Sequence, residues 1–246
     1  MITQYRLTVN CNDQLRLPSF WGYRLYAWLL ERLPETCSAA LHESGGSLIT
    51  QYLYYDRARN ENNWIINLFS DELETILTPV LSKTEEIRLH DIRLQARVSD
   101  IQRITSAEQL ILSARSEHSN NRYSKLELLT PAAFKQNGKY TVLPEPRLIL
   151  RSLAAKWTQI FPDYPLDDED ALKALEQGLR ITDYKIRTVR YPLKNVKIPG
   201  FMGEIIIEAK LSDPLMEIWK LLLCFSNYGG TGIKTALGMG GTVYIK

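Results

Sequence analysis

The order of strand-like and helix-like segments is the feature that most limits the folds open to this chain of 246 residues. Alternating or β-branched stretches indicate strands, and apolar residues at helical spacing indicate helices. The predicted segments of the first half are a strand at 5–9, a helix at 20–33, strands at 48–55 and 64–69, a helix capped by Ser70, and a strand at 86–98. This half therefore has the order β-α-β-β-α-β.

The second half repeats that order. Its predicted segments are a strand at 124–129, a helix at 144–160, strands at 181–191 and 203–209, a helix at 213–223, and a strand at 242–246. Two such units predict an α+β protein with two tandem ferredoxin-like (RRM-like) domains. The polar, unpatterned stretch 113–122 is the expected linker, so we predict domains at 1–118 and 119–246.

Composition excludes several classes of protein. The three cysteines are far apart and form no CxxC pair, and the three histidines are too few for a histidine cage, so we expect no metal site and no cofactor. No apolar run approaches the length of a membrane span, and the N-terminus lacks a signal sequence. We therefore expect a cytoplasmic protein without membrane contact.

The formal charge of +2 hides an asymmetry between the two halves. Residues 1–120 carry 12 basic and 15 acidic side chains, whereas residues 121–246 carry 18 and 13. Six of the basic residues lie within 180–200, a predicted β-hairpin, opposed there by the lone Asp183. Such a cluster can attract a polyanion, although a solvated pair of strands has the same composition. The interleaved Tyr184 and Tyr191 favour nucleic acid.

The glycine-rich tail is the strongest local motif. Six of the 13 glycines lie between Gly229 and Gly241, in the pattern Gly230-x-Gly232, five residues, Gly238-x-Gly240. Glycine allows a backbone to turn sharply or to approach a ligand closely, so the loop could present N–H groups to phosphates or lie against a helix. Neither a Walker A loop nor a Rossmann loop matches, because Ile233 replaces the glycine before Lys234 and the loop follows a helix.

Three motifs together resemble the Cas6 family, CRISPR repeat-cleaving endoribonucleases of the RAMP superfamily. The first is the tail from Asn227 to Gly241 with its central Lys234. The second is the run TPAAFK at 130–135, followed by LPEP at 143–146, RSL at 151–153 and Trp157. The third is LHES at 41–44, where many family members carry a catalytic histidine. These matches span most of the chain and occur in the family's order.

The resemblance implies metal-independent cleavage of CRISPR precursor RNA within its repeats. The ribose 2′-OH would attack the adjacent phosphate, which gives a 2′,3′-cyclic phosphate and a 5′-OH end. The implied catalytic residues are His42 as general base or acid, with Ser47 and Tyr23 in support. Without the resemblance, His42 would be interpreted as a surface histidine that caps or packs locally. His90 is predicted to lie mid-strand and to be structural, and His118 to lie in the linker.

One departure from the family pattern opens an alternative. Many members carry a lysine about six residues after the histidine, but residues 47–50 are Ser-Leu-Ile-Thr. Another cation, such as Lys234, Lys135 or Arg24, could take its place; alternatively Ser47 and Tyr52 supply only hydrogen bonds, and Tyr26 is a further candidate. The chain could instead be a non-catalytic RAMP subunit that binds crRNA within an effector complex.

CRISPR repeat RNA (pre-crRNA or crRNA) is the expected partner, with effector subunits and a homodimer left open. The predicted RNA-binding residues are the basic side chains of the second half and the glycines of the tail: Lys135, Lys139, Arg147, Arg151, Lys185, Arg187, Arg190, Lys194, Lys197, Gly230, Gly232, Lys234, Gly238 and Gly240. Lysine and arginine would contact phosphates, which supply affinity but no sequence information.

Overall fold

The computed structural model describes residues 1–11, 16–35, 37, 41, 48–90, 92–116 and 121–245. The chain forms two compact units, Met1–Thr105 with Lys234–Gly238, and Ser106–Ile233 with Met239–Lys246. The first unit therefore ends earlier than the predicted boundary at 118. The reason is helix Ala107–Arg115, which the sequence reading left unassigned: its Leu110 and Ala114 are buried, and it packs within the second unit.

The first unit is built on a five-stranded antiparallel sheet with the order β2-β3-β1-β5-β4. Its elements are β1 (Ile2–Asn10), α1 (Gly22–Leu30), β2 (Ile49–Asp56), β3 (Glu61–Leu68), α2 (Asp71–Lys83), β4 (Glu86–Leu89) and β5 (Ile92–Ile104). Tyr5, Leu25, Trp64 and Leu77 are among the side chains that fill the core beneath the sheet. Ser70 occupies the N-cap position of α2, but its side chain makes no capping hydrogen bond.

The predicted long strand at 86–98 is a hairpin instead. Strands β4 and β5 pair antiparallel, with Leu89 opposite Ile92, and the chain turns at His90. His90 is exposed and has a φ of 59°, the left-handed conformation that a strand cannot contain. The prediction that His90 lies mid-strand was therefore wrong: the alternation of residues continues through the turn and hides it.

The second unit repeats the architecture with a four-stranded sheet in the order β11-β6-β10-β9. In chain order its elements are α3 (Ala107–Arg115), β6 (Tyr123–Ala132), β7 (Phe134–Gln136), β8 (Lys139–Thr141), α4 (Pro146–Ile160), α5 (Glu169–Gly178), β9 (Leu179–Leu193), β10 (Val196–Ala209), α6 (Asp213–Gly229) and β11 (Thr242–Ile245). Strands β7 and β8 form a small separate hairpin. Ser212 is the N-cap of α6.

Both sheets have the strand order of a ferredoxin-like fold. Strands β5-β1-β3-β2 in the first unit correspond to β11-β6-β10-β9 in the second, and β4 is an extra edge strand. The predicted fold class of two tandem ferredoxin-like domains is confirmed. Among the described residues, no helix has the length and apolar character needed to cross a membrane.

Candidate nucleic-acid interface and active site

Two of the three predicted catalytic residues, His42 and Ser47, lie outside the described residues, as does His118. The nearest described neighbours, Leu41 and Leu48, both pack against the core of the first unit.

The third predicted catalytic residue, Tyr23, is half-buried on α1 and lines a groove of about 560 Å³ in the first unit. The two other tyrosines considered are less suited to proton transfer. Tyr26 and Tyr52 are 7% and 6% exposed, and burial raises the pKa of both phenols above the usual range. A buried phenol with a raised pKa is a poor proton donor near neutrality, so Tyr23 is the best placed of the three.

The glycine-rich tail forms a tightly packed loop in which the glycine N–H groups form hydrogen bonds with other protein atoms. Gly230, Gly232, Gly238 and Gly240 all have positive φ angles, between 61° and 96°. Each of their N–H groups donates to a protein acceptor: Ser226 O, Ser152 Oγ, Thr235 O and Pro131 O respectively. These N–H groups are therefore occupied in the structure, and the glycines shape the loop.

Two of these glycines have no room for a side chain. A Cβ on Gly240 would lie 2.0 Å from the carbonyl oxygen of Thr231, and a Cβ on Gly232 would lie 2.4 Å from that of Ala133. The carbonyl oxygen of Ala133 is held in place by a hydrogen bond, because Ile233 N–H donates to it at 2.9 Å. Close backbone approach thus explains the glycine pattern independently of any ligand.

Lys234 is the single exposed residue between Gly229 and Gly241, a range that the structure describes in full. It has a φ of 59° and stands immediately before the short 3₁₀ helix Thr235–Leu237. The loop therefore turns one cation outward from an otherwise buried or half-buried backbone. The sequence reading singled out this lysine, and its exposure makes it available to a phosphate.

Gln51, which the sequence reading missed, holds the Lys234–Gly238 segment in the first unit. Its Nε2 donates to Gly22 O and to Ala236 O, both at 2.9 Å, and its Oε1 accepts from Trp64 Nε1 at 2.8 Å. The side chain is fully buried. A glutamine among the tyrosines of a buried strand was the available signal, because a buried amide needs polar partners.

Helix α4 supports the loop from the second unit. Lys156 Nζ donates to the carbonyl oxygens of Gly229 and Gly230, at 3.0 and 3.1 Å, at the C-terminus of α6. Ser152, one turn earlier on α4, accepts from Gly232 N–H at 3.0 Å. Burial lowers the pKa of Lys156 to about 7, so the amine titrates near neutrality.

Arg151, a predicted RNA-binding residue, is engaged within the second unit instead. Its Nε donates to Glu176 at 2.5 Å, and its Nη atoms donate to Glu169 at 2.8 and 3.0 Å. Both carboxylates belong to α5, so the RSL motif joins α4 to α5 through Arg151 and to the glycine loop through Ser152. With two carboxylates around it, this guanidinium has little attraction left for a phosphate.

The basic hairpin predicted at 180–200 is present as β9 and β10. Lys194 lies in the turn with a φ of 51°, and Leu193 pairs with Val196. Strand β9 is an edge of its sheet, and Tyr184 on this strand is 64% exposed. Five exposed cations form no ion pair within the described part of the chain: Lys185, Arg187, Arg190, Lys194 and Lys197. Arg180, by contrast, pairs with Glu208 at 2.9 Å.

The remaining predicted basic residues also lie on the surface of the second unit. Lys135 and Lys139 belong to the β7–β8 hairpin, where the Lys135 ammonium lies 6.0 Å from the Tyr140 ring centroid. Arg147 is exposed in the first turn of α4. The exposed basic residues among the predicted RNA contacts therefore comprise one loop cation, those of the β9–β10 hairpin, those of the β7–β8 hairpin and one in the first turn of α4.

Comparison with known proteins identifies a family with the same sequence pattern and fold. The family described as "CRISPR-associated endoribonuclease Cas6" matches residues 126–242. A Streptococcus thermophilus protein of that name is 29% identical over 219 residues, which cover 89% of this chain and 88% of the relative. A Mycobacterium tuberculosis protein of the same name is 28% identical over 89% of this chain and 70% of its own length.

Solved structures show the same fold. A Cas6 product complex superposes with a TM-score of 0.78 at 22% identity, covering all of both chains. Thermus thermophilus Cas6 superposes with a TM-score of 0.75 at 23% identity, covering all of this chain and 98% of the other.

The glycine loop gives a stability prediction. Gly240→Ala should lower the free energy of unfolding by at least about 2 kcal/mol, because the new Cβ meets Thr231 O and the left-handed φ is strained. Thermal unfolding followed by circular dichroism measures the loss. Gly138→Ala is the matched control: it has a φ of 79° but nothing within 4 Å, so it should cost only about 1 kcal/mol. Equal losses would show that the carbonyl contact is unimportant.

The titration of Lys156 gives a second prediction. The unfolded chain keeps this proton up to its ordinary pKa of 10.5, whereas the folded chain releases it near pH 7. Stability therefore rises with pH between about 7 and 10 relative to Lys156→Met, which cannot titrate. Melting temperatures of both proteins across this range test it. Lys173→Met, which removes an exposed lysine, is the control, and its melting temperature should follow that of the wild type across this range. If the melting temperature of Lys156→Met also ran parallel to that of the wild type, the prediction would be contradicted.

Proposed function

We propose that this chain is a Cas6 family protein and that it cleaves CRISPR precursor RNA within the repeats, without a metal, by attack of a ribose 2′-OH. The observation that carries the proposal is the similarity to a Cas6 endoribonuclease over 89% of the chain, which takes in both ferredoxin-like units. The shared fold is consistent with it.

The proposed step breaks one P–O bond and forms another. A general base removes the proton of the 2′-OH, and the resulting oxygen attacks the adjacent phosphorus. The 5′-oxygen of the next nucleotide leaves and takes a proton from a general acid. Positive charge near the non-bridging oxygens stabilises the charge that builds up on the phosphate. The products are a 2′,3′-cyclic phosphate and a 5′-OH end.

We assign the proton transfers to His42, with Ser47 and Tyr23 in support. Near neutrality a histidine can accept or give up a proton. The reaction needs both transfers, one from the 2′-OH and one to the leaving 5′-oxygen. Among the similar Cas6 structures is a histidine-to-alanine mutant, which agrees with a histidine of interest in the family. Lys234 and Arg24 are exposed cations of the first unit that can replace the missing lysine after His42.

RNA binding is assigned to the β9–β10 hairpin together with Lys234, Lys135, Lys139 and Arg147. Unpaired, exposed cations release counterions from RNA when they contact phosphates, and this release supplies affinity at low salt. The exposed Tyr184 on the same strand offers a ring on which an unpaired base can stack. Arg151 and the N–H groups of the glycines are left out, since protein atoms already occupy them.

A second candidate is a RAMP subunit that binds crRNA without cleaving it. The missing lysine after His42 favours this alternative, because a crowded phosphate without a nearby cation reacts slowly. One experiment separates the two functions.

Labelled repeat RNA is incubated with the protein in EDTA, and the product ends are analysed. We expect 2′,3′-cyclic phosphate and 5′-OH ends, and no cleavage when the attacking nucleotide is 2′-deoxy. His42→Ala should slow single-turnover cleavage about a hundredfold or more while RNA affinity stays nearly constant. His118→Ala is the control and should cleave normally. Tight binding by the wild-type chain with no cleavage would favour the binding subunit.

The hairpin assignment predicts a change in salt dependence. Replacing Arg187 and Arg190 by Gln should weaken RNA binding at every repeat sequence and reduce the slope of log affinity against log salt by about 1 for each lost phosphate contact. Filter binding between about 50 and 200 mM salt measures the slope. Arg180→Gln, on the same strand but already paired with Glu208, is the control and should leave the slope unchanged. A slope that is the same in all three proteins would rule out this surface.

A further inference from the structure

A groove in the first unit brings together residues that the sequence reading treated separately. It has a volume of about 560 Å³ and lies between α1 and the end of β4. Helix α1 contributes Tyr23, Arg24, Ala27, Trp28 and Glu31, and the hairpin contributes Arg88, Leu89 and His90. This volume is within the range of small-ligand sites and exceeds what a single phosphate needs.

Arg24 is a cation of the groove that the described protein leaves unpaired. It is exposed and has no carboxylate partner among the described residues; its guanidinium lies 5.7 Å from the Trp21 ring centroid. An exposed guanidinium without a carboxylate partner is available to the oxygens of a phosphate.

The backbone places His90 at the rim of the groove, in the β4–β5 turn. Its φ of 59° is the left-handed conformation, which histidine adopts more often than most residues with a Cβ and which Lys194 also adopts in the β9–β10 turn. The turn therefore sets the position of His90 next to Arg88 at the end of the groove.

Like charges face each other on the same hairpin. Arg88 is directly opposite Arg93 in the β4–β5 pairing, an arrangement that destabilises a sheet unless an anion lies close. Glu86 supplies an anion to this pair: Arg88 Nε donates to it at 2.6 Å, and Arg93 also helps to lower the pKa of its carboxyl. The acid that lines the groove itself, Glu31, lies 3.8 Å from Arg32. Among the described residues that line the groove, the two arginines Arg24 and Arg88 therefore outnumber the one carboxylate.

We propose that the α1–β4 groove binds an RNA phosphodiester with its ribose, through Arg88, His90 and Arg24. The proposal rests on the function proposed above and adds a contact in the first unit, whereas the other assigned RNA-binding residues, apart from Lys234, belong to the second. Arginine forks match the paired oxygens of a phosphate, and the half-buried Tyr23 ring offers a surface to the adjacent sugar or base.

The test compares two charge-matched variants at opposite edges of one sheet. Arg88→Gln combined with His90→Asn removes two groove donors, and asparagine keeps the left-handed turn. Arg59→Gln removes an exposed arginine from the β2–β3 turn, at the far edge from β4. Melting temperatures establish that each variant is folded, and Arg88→Gln alone serves if the double variant is not. Affinity for labelled repeat RNA is then measured over a range of salt.

We expect the groove variant to bind about tenfold more weakly, with a salt slope lower by about 1, while Arg59→Gln binds like the wild type. Equal losses in both variants would reduce the effect to net charge and overturn the proposal. If the wild type binds and cleaves and the groove variant matches it, the groove is excluded and the proposed function stands. If the wild type fails to bind repeat RNA, both are excluded.

Discussion

The structure depends on hydrogen-bond partners for the backbone of a buried loop. After Gly229 this loop belongs to no sheet and no α-helix that would pair its N–H and C=O groups. Between Gly229 and Gly241 the chain is mostly buried, so each peptide group needs a protein partner. Acceptors come from the C-terminus of α6, from Ser152 on α4 and from the end of β6. At Gly232 and Gly240 a Cβ would collide with the carbonyl oxygens of Ala133 and Thr231, so only glycine fits there, and no ligand is needed to explain these two positions.

The same constraint accounts for residues whose purpose the sequence leaves open. Lys156 holds the carbonyls at which α6 ends, and Gln51 accepts and donates hydrogen bonds that keep residues 234–238 in the first unit. Arg151 serves the supporting helix rather than the surface. The basic residues that remain available to RNA are those without an ion pair in the described structure, among them Lys234 on the loop and the unpaired basic residues of the β9–β10 hairpin.

Prediction from sequence succeeded where periodicity and chain order carry the information. The duplicated β-α-β-β-α-β order, the basic hairpin and the loop cation all follow from local patterns, because a sheet face, a helix stripe and a turn each have a fixed spacing. It failed at residues 86–98, where alternation runs unbroken through the turn at His90. It also failed to place α3 in the second unit, since only packing against α6 decides that.

The amino-acid sequence by itself determined the fold class, the family resemblance and the residue types available for chemistry, since each rests on local pattern or motif order. Tertiary structure alone decided which of those residues are free to act. Ion pairing occupies Arg151, burial removes Tyr26 and Tyr52 from proton transfer, and the α1–β4 groove assembles Arg24, Arg88 and His90 from segments about 60 residues apart. Burial and pairing arise from contacts between distant segments, and a local pattern contains no record of them.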